Sequence, residues 1–453
     1  MAREVNRRDF IAATATAGAG LALLGASQGL ASQGAASQAA PAKPAVLGGT
    51  PVRTEGYYPW PVPTAEDEEA VLNVVKSASW YRAESVARFE EEYAALNNAK
   101  YCVATSSGTT ALFSSLGALG IGPGDEVIVP PYTFLATISV VLLHHALPVF
   151  VDTDRETFLM NPAKLEAAIT DRTKAIIPVH IGGSVADLDS ILAIAKKHNV
   201  PVIEDACQAH LAQWRNRGVG SWGTSGCFSF QLSKNLCSGE GGAIISNDEP
   251  MINNCFAFHN CGRGRENSSY DFNYELGRNT NARMTEFQAA LLTSRMTSIA
   301  ERAKTRSDNA DYLTSMISKI PGITPARMYE GCTRNAYHIY MFRYQPEAFA
   351  NLPRQKFLRA LIAEGIPCSG GYGPLNKDDF IQNALKTRPY VKVYGKPTID
   401  KWLERNQCPD NDKLCGEAVW FMQNMLIGPR TDMEQIAEAI GRIQKYAGEV
   451  GKA

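Results

Sequence analysis

Phe228-Ser229-Phe230-Gln231-Leu232-Ser233-Lys234-Asn235-Leu236, followed closely by Ser238-Gly239-Glu240-Gly241-Gly242, is the stretch on which the reading of this chain turns. The lead-in is apolar and strand-like, so Lys234 leaves a buried strand and is held beside a glycine-rich turn. A lysine in such a place is costly unless its amine has a task. Working outward, Val202-Ile203-Glu204-Asp205-Ala206-Cys207-Gln208 reads as an apolar strand ending in an acid. Further upstream, Thr105-Ser106-Ser107-Gly108-Thr109-Thr110-Ala111-Leu112 reads as a small-residue turn opening a helix.

The segments around these motifs alternate between short apolar runs and helical stretches. Strands are expected at Tyr101–Thr105, Glu126–Pro130, Pro148–Val151, Ala175–Val179, Pro201–Asp205, Gly226–Phe230 and Gly242–Ser246. Helices are expected at Thr109–Leu119, Phe134–His145, Pro162–Ile169 and Asp187–His198, and a long one from Thr285 to Ile317. This pattern predicts an α/β fold with a mostly parallel sheet covered on both faces. The last two strands lack a helix between them, so one of them is expected to run antiparallel. In such sheets ligands collect at the carboxyl ends of the strands. The Thr105–Gly108 turn, Asp205 and Lys234 all fall at such ends, which argues for one shared site. Past Pro321 the texture changes: Tyr337–Tyr344 alternates like a strand, while Gln355–Glu364 and Met433–Ala447 read as helices.

A phosphate cradle, a strand-end acid and a strand-end lysine together suit pyridoxal phosphate (PLP). PLP is held covalently by a lysine whose amine must be nucleophilic when neutral, and burial favours that form. The pyridine nitrogen needs a carboxylate to stay protonated. Alternation along the strand puts Glu204 and Asp205 on opposite faces, so only one can reach the ring; Asp205 is the candidate, with helix capping as its competing use. Ser107, Gly108 and Thr109 offer hydroxyls, backbone N–H groups and a helix N-terminus for the phosphate, and Ser229 offers a further hydroxyl. Phe134, in Tyr132-Thr133-Phe134-Leu135, is the flat partner for the ring, with a place in the core as the alternative.

Bulk properties narrow the function. The 453 residues carry a net charge of -1 and 45% hydrophobic residues, enough for a large core and more than one subdomain. No basic block suggests nucleic-acid binding. The ten cysteines form no C-x-x-C pair, and Cys102, Cys207 and Cys227 read as small apolar residues rather than bridge partners. Asn6-Arg7-Arg8-Asp9-Phe10-Ile11 is a twin-arginine pattern ahead of an apolar, small-residue run too weak to span a membrane. The resulting layout is a signal peptide at 1–31, a linker and arm at 32–57, a large cofactor-binding domain at 58–319 and a smaller α+β domain at 320–453. Export to the periplasm is expected, or residence in the cytoplasm if the signal is unused.

In order and spacing these motifs resemble the DegT/DnrJ/EryC1/StrS family, the sugar and cyclitol aminotransferases of fold-type I PLP enzymes. The pieces are SSGTTAL (106–112), GIGPGDEVIVP with TFLAT (120–137), PVFVDTD (148–154), TKAIIPVHIGG (173–183), VIEDACQAH (202–210), FSFQLSKN with GEGG (228–242) and NARMTEFQAA (281–290). The resemblance implies that Lys234 carries the cofactor, Asp205 pairs with the ring nitrogen and Gln208 lies against the ring. It implies phosphate contacts from Gly108, Thr109 and Ser229 and stacking by Phe134. It implies a homodimer, in which Asn281 or Arg283 of a neighbouring copy completes the phosphate site. His259–Arg263 and Tyr337-His338 look most like the branch that includes the cyclitol aminotransferases. The expected activity is transfer of an amino group from glutamate or glutamine to a keto-sugar or keto-cyclitol, with Lys234 as general base and acid. A dehydrating or aromatising PLP enzyme is the alternative, although the dehydrating branch replaces the lysine with histidine. A non-catalytic exported binding or sensor protein is the third reading. An exported enzyme would need a keto substrate free of a nucleotide.

Overall fold

Short apolar stretches, buried on both faces, form the sheet that carries the site. They are β1 Tyr101–Thr105, β2 Glu126–Val129, β3 Leu147–Phe150, β4 Thr173–Ile176 and β5 Ile203–Asp205. A small hairpin follows, β6 Gln213–Trp214 and β7 Arg217–Gly218, and then β8 Ser225–Ser229 and β9 Gly242–Ser246. The computed structural model describes residues 42–265 and 277–453. β3, β2 and β4 pair in parallel. β5 and β8 are also parallel, whereas β9 runs antiparallel to both β8 and β1. β9 is thus the antiparallel strand that the missing helix led one to expect. The two groups meet where Ile176 bridges Val202 and Val179 bridges Asp205. Regular pairing of β4 stops at Ile176, short of the expected Val179, because Pro178 has no N–H to donate.

The helices on this sheet are α1 Ala65–Ser77, α2 Glu84–Leu96, α3 Gly108–Ala118, α4 Ala136–Leu143, α5 Leu188–His198, α6 Glu249–His259, α7 Glu286–Met296 and α8 Ile299–Ile317. Strand alternation sorts them. Val103, Ile203, Cys227 and Ile244 face α3 and α6, and Cys102, Phe228, Ala243 and Ile245 face α2 and α7. Two helix expectations need correction. The long helix is two, because Thr297 and Ser298 turn their hydroxyls back onto the carbonyls of Ser294 and Arg295 and compete with the backbone ladder. Pro162–Ile169 forms only two single 3-10 turns, too short a run to propagate.

The C-terminal part contributes β10 Ile323–Pro325, β11 Cys332–Arg334, β12 Ile339–Tyr344 and β13 Ala418–Met422. β10, β12 and β13 form an antiparallel sheet, and β11 pairs with β6. Helices Arg354–Ala363 and Arg430–Lys445 cover the small sheet through Phe357, Leu361, Ile436 and Ile440. No described helix is long and apolar enough to cross a membrane. All ten cysteines are free thiols.

Candidate active site

Three chain segments converge at Gly108. A Cβ there would lie 2.6 Å from Ser229 Cβ and 2.8 Å from Cys207 Sγ. The start of α3, the end of β8 and the turn after β5 are therefore in contact, and only a residue without a side chain fits between them. Gly242 serves the same close packing: a Cβ on it would meet the Ser107 carbonyl at 2.2 Å. The glycine-rich tail of the lysine segment thus passes directly beside the serine-glycine turn.

Ser107 caps α3. Its hydroxyl accepts from the Thr110 N–H at 3.1 Å, and Thr110 Oγ1 accepts from the Ser107 N–H at 2.9 Å. The N–H groups of Gly108 and Thr109, at the first positions of the helix, are left to an outside acceptor. Ser229 is held from behind. His210 Nε2 donates to its carbonyl at 2.8 Å, so His210 Nδ1 accepts from the Tyr93 hydroxyl, also at 2.8 Å. Burial pushes the His210 imidazole down to about 3, which keeps it in this neutral form.

Lys234 follows β8 in a loop closed by backbone bonds from Phe230 to Gly241 and from Leu232 to Gly239, 2.8 and 3.0 Å. Burial lowers the lysine pKa, partly offset by Cys207 and Asp205 nearby. Among the described residues Nζ has no ion-pair partner. A half-buried, unpaired amine with a lowered pKa is suited to a nucleophilic lysine.

Asp205 and Glu204 separate as strand alternation demands. Asp205 accepts from Thr137 Oγ1 at 2.8 Å and from the Cys207 N–H at 3.2 Å. Thr137 in turn contacts Thr133 Oγ1 at 2.9 Å. Glu204 points away from Asp205. It accepts from His180 Nε2 and from the N–H groups of Gly220, Trp222 and Gly223, at 2.7–3.0 Å. Gln208 Oε1 accepts from the Gly182 N–H at 2.8 Å, and Nε2 donates to Tyr372 Oη at 2.9 Å.

Phe134 is 60% exposed, so it is no core aromatic and its ring is open to a ligand. Asn281 and Arg283 lie at the lip of the same turn. Arg283 bridges Thr105, and the Ala282 carbonyl accepts from the Ser106 N–H at 2.8 Å. Arg283 donates to Asn260 Oδ1 at 3.0 Å. The residues present fit PLP: a helix N-terminus with free N–H groups, an unpaired, half-buried amine, and an acid oriented by Thr137 and the Cys207 N–H. Sequence reasoning assigned no role to Thr137, His210, Tyr93 or Tyr372. Thr137 and His210 stand inside quoted motifs, whereas Tyr93 and Tyr372 carry no local signal.

Comparison with known proteins gives an independent reading. The chain is 35% identical over 426 residues to L-glutamine:2-deoxy-scyllo-inosose aminotransferase of Streptoalloteichus tenebrarius, covering 90% of this chain and 99% of that one. It is also 35% identical over 416 residues to the enzyme of the same name from Streptomyces kanamyceticus, covering 89% and 97%. Among solved structures, 3-amino-5-hydroxybenzoic acid synthase superposes with a TM-score of 0.77 at 28% identity, covering 88% of this chain and 100% of that one. An aminotransferase from Psychrobacter cryohalolentis superposes with a TM-score of 0.73 at 31% identity, covering 85% and 98%. These relatives correct the expectation of export. They are named for transamination of scyllo-inosose compounds and are matched along nearly their whole length, a kinship that does not agree with a periplasmic enzyme. The Asn6–Ile11 motif lies outside the described residues. Residues 62–393 match the model of the DegT/DnrJ/EryC1/StrS aminotransferase family. The chain belongs to that family, and it is a PLP-dependent aminotransferase of the fold-type I architecture.

Proposed function

We propose that this enzyme takes nitrogen from glutamine and delivers it to a keto-cyclitol, with Lys234 as the covalent anchor and proton carrier and Asp205 as the partner of the ring nitrogen. The observation that carries the residue roles is the meeting of the α3 N-terminus, Ser229 and the Asp205–Gln208 turn around Gly108, beside an unpaired lysine. Support for the donor and acceptor comes from the relatives, whose names specify L-glutamine and 2-deoxy-scyllo-inosose.

When bound, PLP supplies an electron-poor ring that stabilises negative charge at the donor's α-carbon. The rest is the work of the chain. Lys234 Nζ, whose pKa burial lowers, would accept the proton leaving that carbon and return it. Asp205, oriented by Thr137 and the Cys207 N–H, keeps a proton on the ring nitrogen. The Gly108 and Thr109 N–H groups, with the Ser107 and Ser229 hydroxyls, receive the phosphate. Phe134 and Gln208 would hold the ring. A second copy of the chain would complete the site with Asn281 or Arg283, and exposed Trp80 and Tyr81, the latter under the Arg283 guanidinium, offer it a surface.

The test is transfer by the purified holoenzyme from glutamine to 2-deoxy-scyllo-inosose, with the aminated cyclitol read by mass spectrometry. Lys234→Ala is expected to lose the covalent cofactor absorbance and about 10³-fold or more of the activity. No aminated product from wild-type enzyme, or full activity in the variant, sinks the reading.

A further inference from the structure

Tyr372 lies on Ser369–Gly373, a loop outside every motif discussed above. The loop is stitched to β13, because Ser369 and Trp420 exchange both backbone hydrogen bonds, at 3.1 and 2.9 Å. Gly371 has φ +79°, and a Cβ there would approach Tyr132 Oη to 2.5 Å, so the loop has one shape available. The Tyr372 ring is wedged edge-on between Trp420 and Tyr132, with centroids 4.5 and 5.5 Å away.

The hydroxyl at the end of this ring is committed on one side only. Gln208 Oε1 is taken by the Gly182 N–H, which leaves Nε2 to donate to Tyr372 Oη at 2.9 Å. The tyrosine oxygen is the acceptor in that bond, so its own proton points elsewhere. Among the described residues no acceptor receives it. Burial raises the phenol pKa, and Asp205 and Cys207 raise it further, so the hydroxyl stays protonated at any working pH. A rigid, permanent O–H donor next to Gln208 and Asp205 is a group waiting for an oxygen brought by a ligand.

We infer that the Tyr372 hydroxyl donates a hydrogen bond to a ring oxygen of the keto acceptor and thereby selects polyhydroxylated acceptors. This rests on the proposed function, since that reading supplies an oxygen-rich acceptor. It places a specificity residue in the C-terminal half of the chain, far in sequence from the lysine and the acid.

Tyr372→Phe keeps the ring and removes the donor. Holoenzymes are compared on glutamine and 2-deoxy-scyllo-inosose. The acceptor KM is expected to rise roughly ten- to a hundredfold, the effect of one lost hydrogen bond to a bound polar group. The rate at which glutamine alone changes the cofactor absorbance is expected to stay within about twofold, because the donor step does not use this contact. An unchanged acceptor KM in a fully loaded Y372F enzyme overturns the inference and leaves the proposed function standing. An equal slowing of donor and acceptor steps also overturns it, because Tyr372 then acts only by holding Gln208. Should Y372F fail to load cofactor, Tyr372→Trp restores an N–H donor; an acceptor KM more than about a hundredfold above wild type there, with the donor step intact, counts against the assignment. If wild-type enzyme accepts nitrogen from glutamine but passes it to no cyclitol, the proposed function fails and takes this inference with it.

Discussion

Three histidines of this protein, His144, His210 and His259, are buried away from water, and His210 backs the Ser229 end of the site. Burial holds the imidazoles of His210 and His259 at about 3 and that of His144 at about 4. Their folded values lie below the ordinary histidine value, so between these and about 6.5 the unfolded chain binds more protons than the folded one. The stability they contribute is full above pH 6.5 and is lost as pH falls through the window below it. Each imidazole costs up to about 1.4 kcal/mol per pH unit there. Urea midpoints are therefore expected to fall steeply from pH 6.5 to 4.5, and a flat profile would contradict the buried neutral assignments. Lys234, Asp205 and Gln208 were legible in the sequence because an ionic or amide group at the end of an apolar run stands out locally. Thr137, Tyr93 and Tyr372 were not, because each acts only through a partner 68, 117 or 164 positions away. Their types are ordinary where they stand, and only the fold makes them special.

At the scale of elements, the start of α3 is where packing overrules propensity. Glycine to alanine at a compatible position stabilises by about 0.4–1 kcal/mol through the unfolded chain. At Gly108 the added methyl would press on Ser229 and Cys207 at distances that force a shift, a strain of about 1–3 kcal/mol. Strain wins. Gly108→Ala is expected to lower the melting temperature and to weaken PLP loading, followed by absorbance titration. A variant as stable and as readily loaded as wild type would remove the close contact from the argument. The capping box at Ser107 and Thr110 was visible as a helix start, and the alternating strands were visible by period. The break between α7 and α8 was not, since two hydroxyl residues in a helical run signal nothing until their side chains turn inward. Boundaries elsewhere moved by one to three residues, as proline positions and caps decide them.

For the whole molecule, one sheet joins two strand groups across the Ile176–Val202 and Val179–Asp205 bridges, and the site sits over that junction. The α/β class and the site at the strand ends were readable from the order of motifs alone. The expectation of export was overturned by the relatives; two arginines before a run of small apolar residues is a short, low-information pattern that does not carry it. Trp80, Tyr81 and Phe134 are 54%, 61% and 60% exposed, more apolar surface than an isolated site needs. Wild-type enzyme is expected to sediment as two chains, and the pair Trp80→Glu and Tyr81→Glu as one with reduced activity. A wild-type monomer with full activity would end the dimer proposal. Glu204, the neighbour of Asp205, has the last word on how this protein can change. A slip of β5 by one position would turn the longer acid toward the cofactor and leave an imidazole and three amides with no anion to serve. The identity of the acid in front is thus guarded from behind, by contacts no substrate ever meets. Redesign of the chemistry can vary the loops freely but must leave that hidden anchorage intact.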